Sequence, residues 1–102
     1  MANKESRAEA QALTDEELIH RILGGEHRLF GAVVRRYNAR LHRIGMALLG
    51  DATDVKDAMQ SAYIKAYEHL EDFEGKAQFG TWLTRIFINE SNLYLKQKNS
   101  RL

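Results

Sequence analysis

Apolar residues recur at helical spacing along most of the chain and predict a series of helices. Thr14 and Glu17 stand at capping-box spacing and predict the start of a short helix, which Gly24-Gly25 ends. A long second helix is predicted to end at Gly50. Its apolar positions follow steps of three and four: Phe30, Val33, Val34, Tyr37, Leu41, Ile44 and Leu48.

Two more helices follow, separated by a loop. The third begins after the cap residues Asp51, Thr53 and Asp54. Its inward positions are Val55, Ala58 or Met59, Ala62, Ala66 and Leu70. Residues 71–76 break the period and predict a loop, and a fourth helix begins near Gln78 and ends in the polar segment 96–99. Its buried positions are Phe79, Leu83, Ile86 and Leu93. We therefore expect an all-α fold, a compact bundle of about four helices.

Length and composition are those of one globular domain. The chain has 102 residues, of which 44% are hydrophobic, and it contains no cysteine, which excludes disulfides, thiolate metal sites and a cysteine nucleophile. We expect a flexible N-terminus over 1–12, a helical domain over 13–98 and a polar tail over 99–102. No apolar run approaches the ~20 residues of a membrane helix, so a cytoplasmic protein without membrane contact is expected.

Charge alternates in blocks along the chain. Residues 21–50 carry six bases and one acid, whereas residues 51–75 carry two bases and seven acids. Residues 76–102 are basic again, with five bases and one acid. Two interpretations remain open: separate surfaces for separate partners, with polyanions at the basic blocks, or helices of opposite charge that pair within the bundle.

The third helix has a second, mostly polar stripe opposite its apolar one. This stripe contains Asp57, Gln60, Ser61, Ile64 and Glu68. A partner helix could use Ile64 as an apolar anchor while Asp57 and Gln60 set the register. The alternative is an ordinary solvated face with one exposed isoleucine.

The fourth helix carries an aromatic residue, amides and cations at the spacing of one face. These residues are Trp82, Arg85, Asn89, Asn92 and Lys96. An aromatic ring can stack on a base, an asparagine can read a base edge, and cations can contact phosphates. The alternative places Trp82 in the core and leaves the amides solvated.

Signatures of catalysis or of a metal site do not occur in the sequence. The four histidines are scattered, and no pair has the spacing of a helical metal site. Phosphate-binding loops and nucleophile elbows are also missing from the sequence. We therefore expect a protein that is not an enzyme and that uses no cofactor and no metal.

Three segments occur in order along the chain: DVKDAMQ, KAYEHLEDF and FGTWLTRIFIN. Taken together, they resemble region 2 of bacterial RNA polymerase sigma factors of the extracytoplasmic-function (ECF) group. The resemblance runs from about Leu13 to Asn92. It implies the sigma region 2 type of helical domain and a role in recognising and melting the minus-10 promoter element during transcription initiation.

The resemblance also implies roles for particular residues. It implies that the third helix docks on the clamp helices of the largest polymerase subunit through Asp57, Gln60, Ser61, Ile64 and Lys65. The loop from Leu70 to Ala77 would border a pocket for one flipped base of single-stranded non-template DNA, with Asn89 helping to read it and Trp82 in the melting region. The DNA-binding residues that the resemblance implies are Phe73, Gly75, Lys76, Ala77, Trp82 and Asn89. Spacing on the same helix face adds Asn92, and charge rather than a motif adds Arg85, Lys96, Lys98 and Arg101 as phosphate contacts.

Departures from the family pattern suggest what else to expect. Ser61 stands where the family usually has an acid, which implies weaker polymerase docking. Phe87 is bulkier than the small residue that the family usually has at its position. The C-terminal helix-turn-helix domain of the family does not appear, so we expect a fragment or an altered chain. An anti-sigma factor is an expected further partner. The alternative function is a helical protein-interaction module without sequence-specific DNA binding.

Overall fold

The described part of the chain is almost wholly helical. The computed structural model describes residues 4–100, with side chains for residues 7–100. Five helices follow in order: α1 (Lys4–Ala12), α2 (Asp15–Leu23), α3 (Phe30–Leu49), α4 (Ala52–Glu68) and α5 (Phe79–Ser100). Residues 4–100 include no strand, so the all-α prediction is confirmed, and none of their helices is long and apolar enough to cross a membrane.

Two compact units make up the structure, with their boundary inside α3 between Tyr37 and Asn38. In the first unit, α2 begins as predicted at a capping box. The Thr14 hydroxyl accepts a hydrogen bond from the Glu17 amide (3.1 Å), and the Glu17 carboxylate accepts one from the Thr14 amide (2.9 Å). These bonds satisfy two amides at the helix start, which lack partners within the helix. Gly24 caps the C-terminus, also as predicted.

The end of α1 is held by Arg36 of α3. Its guanidinium donates to the carbonyl oxygens of Ala10 (3.3 Å) and Leu13 (3.0 Å) and to the Asp15 carboxylate (2.7 Å). Carbonyls at a helix C-terminus lack partners within the helix, so the arginine stabilises this end. Among the described side chains of α1, only Ala10 is buried, and the flexible N-terminus expected for 1–12 stays a prediction.

The core of the second unit is formed where α3, α4 and α5 meet. The inward positions predicted for α4 are confirmed, with Ala58 rather than Met59 fully buried. Small side chains on α4 allow close packing of α5. The central positions of α5 recur every four residues: Phe79, Leu83, Phe87 and Ser91. Their spacing places one side of α5 against the core.

Three features of α5 differ from the sequence prediction. Ile86 is half-buried rather than buried. The prediction that Leu93 lies in the core is wrong, because its side chain is 48% exposed. The reason is that the buried side of the helix is defined by Phe87 and Ser91, and a residue two positions after Ser91 lies about 200° away around the helix. The helix also continues through Ser100 instead of ending near Lys96. Leu48 of α3 is 39% exposed, although its spacing predicted an apolar contact.

Candidate nucleic-acid interface

The connection between α4 and α5 is an ordered loop anchored at both ends. Leu70 is buried and begins a single 3-10 turn, Leu70–Asp72, which the Phe73 amide closes on the Leu70 carbonyl oxygen at 3.1 Å. The His69 ring nitrogen Nδ1 lies 3.1 Å from the Asp72 carboxylate. Gly75 has a φ of +75°, a left-handed conformation that is unfavourable for residues with a Cβ, and it lets the chain turn toward α5.

Three aromatic rings connect this loop to the start of α5. The ring centroid of Phe73 lies 5.6 Å from that of Phe79 and 5.3 Å from that of Trp82. The Phe79 and Trp82 centroids are 5.6 Å apart. Phe79 is buried, whereas Phe73 and Trp82 are half-buried. The buried phenylalanine therefore anchors two rings that keep accessible surface.

An open cavity of about 200 Å³ lies beside these rings. Its lining residues are Asp72, Phe73, Glu74, Gly75, Lys76, Ala77, Trp82 and Arg85. The structure thus brings together six of the residues predicted to bind DNA. At the cavity, an ion pair joins the exposed side chains of Lys76 and Glu74 at 2.9 Å. Two aromatic rings, two cations and backbone groups at one cavity can contact the face and the edge of a planar base.

The exposed side of α5 extends beyond the cavity. Arg85, Asn89, Asn92 and Lys96 are all exposed, as their spacing predicted, but the last three are not among the described lining residues of the cavity. Leu93 lies on the same side, one helical turn after Asn89. Neither the tryptophan nor Asn89 is enclosed in the core. The side of α5 away from α4 therefore combines aromatic, amide, apolar and cationic groups.

Lys98 lies on the other side of α5, where it is paired with α4. Its ammonium group donates to the Asp54 carboxylate at 2.9 Å, and the Tyr94 hydroxyl donates to the same carboxylate at 2.7 Å. The hydrogen bonds from Lys98 and Tyr94 lower the pKa of Asp54, and the bond to Asp54 raises the pKa of Lys98. A DNA contact by Lys98 stays a prediction, and it would compete with this ion pair. Arg101 lies outside the described residues.

The polar stripe predicted on α4 is exposed along its length. Ile64 is 54% exposed, and Asp57, Gln60 and Ser61 lie on the same side. Lys65 is engaged in an ion pair with Glu90 of α5 at 2.7 Å, in which the glutamate side chain is only 11% exposed. This bond fixes the lysine between the two helices.

Tyr67, 43% exposed and three residues after Ile64, belongs to the same surface and was missed by the sequence analysis. Its position three residues after Ile64 indicates in the sequence that it shares this surface.

Within the part of the chain that the structure describes, no group of three or more histidine, aspartate or glutamate side chains is arranged to hold a metal ion.

Comparison with known proteins gives concordant matches. The family model Sigma-70 region 2 matches residues 33–101. The ECF RNA polymerase sigma-E factors of Haemophilus influenzae and Escherichia coli K12 are 34% and 35% identical to this chain over 92 residues, or 90% of it. The RNA polymerase sigma-H factor of Pseudomonas aeruginosa is 34% identical over 87 residues, or 85% of this chain. The chain spans about half of these relatives, 48% of the sigma-E factors and 45% of the sigma-H factor.

A solved structure is similar over nearly its whole length. It is an NMR structure of an engineered region 2 of sigmaE in complex with GTAAAA, and it superposes with a TM-score of 0.81 at 36% sequence identity. The match covers 88% of this chain and 94% of that chain.

Proposed function

The chain belongs to the sigma-70 region 2 family, and we propose that it recognises the minus-10 promoter element as single-stranded non-template DNA while docked on RNA polymerase. The observation that carries the proposal is the cavity between the 70–77 loop and α5, with Trp82 at its side. A related region 2 binds the hexamer GTAAAA, which supports the same ligand class for this chain.

Recognition of a flipped base would use the rings and the loop. Unstacking one nucleotide costs a few kcal/mol, which contacts in a shaped pocket offset. Stacking of a base on an aromatic side chain contributes about 1–3 kcal/mol. Phe73 and Trp82 supply such surface. Asn89 is not among the described lining residues of the cavity, so it would hydrogen-bond a base further along α5 rather than help to read the flipped base. Because these contacts require separated strands, binding would favour the melted promoter over the duplex.

Phosphate binding would fall to the exposed cations of the same side. Arg85 lines the cavity, and Lys96 lies about three turns further along α5. Contacts of this kind place the strand without reading its sequence. Lys76 forms an ion pair with the exposed Glu74, and it can contribute once that surface ion pair opens.

Docking on the polymerase would use the exposed stripe of α4. Ile64 supplies an apolar anchor, and Asp57, Gln60 and Ser61 supply polar groups beside it, which is the pattern of a helix that packs against a partner helix. The clamp helices of the largest polymerase subunit are the proposed partner, and an anti-sigma factor is a second one. The function requires no covalent chemistry of this chain, and polymerase and chromosome place it in the cytoplasm.

A pair of alanine variants tests the two surfaces separately. Asn89→Ala should weaken discrimination among single-stranded hexamers by about 1–3 kcal/mol and leave polymerase binding unchanged. Gln60→Ala, an exposed amide on α4, should weaken polymerase binding and leave hexamer affinity unchanged. Fluorescence anisotropy with labelled GTAAAA, a scrambled hexamer of the same composition and hexamers varied at each position measures the first effect. Competition for core polymerase measures the second.

If the parent chain binds all of these hexamers equally, the proposal of sequence recognition is wrong. If it binds none of them at low salt but still binds polymerase, the alternative of a protein-interaction module replaces the proposal.

A further inference from the structure

Leu93 is an apolar residue in the middle of the polar side of α5. Its side chain is 48% exposed. Asn89 precedes it by four residues and Lys96 follows it by three, so both are its neighbours on the helix surface. Both neighbours are exposed.

Leu93 lies at the border between the polar side of α5 and the residues that bind α4, because Glu90, three residues earlier, pairs with Lys65 of α4. Tyr94 and Lys98 direct their polar groups to Asp54, and Phe87 and Ser91 face the core. Leu93 instead shares the side of Trp82, since the two are eleven positions apart, which is about three full turns. The leucine is therefore presented on the surface that the proposed function assigns to DNA.

A nucleic-acid strand offers few apolar groups to such a side chain. Amides and cations match the edges of bases and the phosphates, respectively, but a leucine matches neither. The C5-methyl group of thymine is the apolar group on a base edge that protein side chains contact, and it distinguishes thymine from the other bases. Asn89, one turn away, is placed to read a neighbouring base.

We propose that Leu93 is a specificity-determining residue that contacts the C5-methyl group of a thymine in the bound strand. The inference rests on the proposed function. The contacted base is distinct from the one at the cavity, because Leu93 lies about 16 Å along the helix axis from Trp82.

The test replaces thymine by deoxyuridine, which lacks only the methyl group. Six single-stranded hexamers, each with one thymine at a different position among adenines, are compared with their deoxyuridine counterparts by fluorescence anisotropy. For the parent chain, Kd should rise about fourfold on the replacement at one or two positions, the effect of burying one methyl group. Leu93→Ala should bind the thymine and deoxyuridine forms equally, and Leu93→Met should restore part of the difference.

Two control variants separate the loss of thymine preference from a general loss of DNA affinity. Leu48→Ala removes another exposed leucine, on α3, and should keep the thymine preference. Lys96→Met should weaken all hexamers alike. The inference is overturned if Leu93→Ala still prefers thymine over deoxyuridine. It is also overturned if the parent chain binds the hexamers but shows no thymine preference at any position. Either result leaves the proposed function intact. Absence of binding to any hexamer by the parent overturns both.

Discussion

Gly45 of α3 approaches Val55 of α4 so closely that a Cβ atom placed on the glycine would lie 2.6 Å from Val55 Cγ1. The same atom would lie 2.9 Å from Cζ of Phe87, which belongs to α5. Three helices therefore meet at a position where no side chain fits. The glycine sets how close α3 can come to the helix that carries the candidate DNA-binding residues.

Gly45→Ala should therefore destabilise the protein. Alanine normally stabilises a helix interior relative to glycine by about 1 kcal/mol, but overpacking of a filled core costs about 1–3 kcal/mol and reverses the sign. Urea unfolding followed by circular dichroism measures the change. Gly31→Ala is the matched control, because the new Cβ would meet only the flexible Arg35 side chain at 3.3 Å. Equal or higher stability of Gly45→Ala would show that the close approach is not maintained.

Ser91→Ala should stabilise the protein. The Ser91 side chain is fully buried, and its hydroxyl has no hydrogen-bond partner among the described residues. Burial of such a hydroxyl costs about 1–3 kcal/mol, and alanine fills nearly the same space, so the free energy of unfolding should rise by about 1 kcal/mol. Denaturant unfolding measures it, with the exposed Ser61→Ala as the control for helix propensity. A loss of stability would mean that the hydroxyl is bonded in solution.

Asp54→Asn should lower stability at neutral pH, because the ion pair with Lys98 is lost. The hydrogen bonds from Lys98 and Tyr94 lower the pKa of Asp54 in the folded state. The ionised Asp54 carboxylate therefore adds to the free energy of unfolding above its unfolded pKa of about 3.9. This stabilisation is lost as the pH falls through the lower pKa of the folded state. The thermal unfolding temperatures of parent and variant should differ at pH 7, and the difference should shrink as the pH falls below the unfolded pKa of Asp54. A difference that is independent of pH would contradict the role of the charge.

Lys96 and Lys98 should differ in the salt dependence of DNA binding. Each phosphate contact in single-stranded DNA contributes about 0.7 to the slope of log K against log salt concentration. Lys96→Met should reduce the slope by about that amount, whereas Lys98→Met should leave it unchanged, since Lys98 is paired with Asp54. Titrations of GTAAAA at several salt concentrations measure both slopes. The reverse result would place the strand on the α4 side of α5.

Phe73→Ala should disturb the surroundings of Trp82, the single tryptophan of the chain. The ring centroids are 5.3 Å apart, and aromatic pairs contribute about 0.5–1.5 kcal/mol beyond their burial. The tryptophan emission should move to longer wavelength as its ring becomes more exposed, and stability should fall by about 1 kcal/mol or more. Ile64→Ala, on the exposed side of α4, should leave the emission in place. An unchanged spectrum in Phe73→Ala would show that the rings do not pack in solution.

Local signals in the sequence were sufficient for the helices and for most of their buried sides. The capping box at Thr14 and the cap at Asp51 act within one helical turn, and both are present in the structure. The alanines of α4 recur at the period of the helix, so their burial followed from spacing alone. The exposure of Asn89 and Ile64 followed from the same periodicity, because each stands opposite a strong apolar stripe.

Contacts between residues distant in the chain decided the rest. Leu93 could not be assigned from spacing, because the buried side of α5 depends on the packing of Phe87 against Gly45. The sequence predicts Lys98 as a cation available for phosphates, but the fold pairs it with Asp54, 44 residues earlier. The cavity depends on the packing of Phe73 in the loop against Trp82 of α5, which are nine residues apart in the chain. Periodicity describes one helix at a time, whereas these features depend on how close two elements come and on which charges then meet.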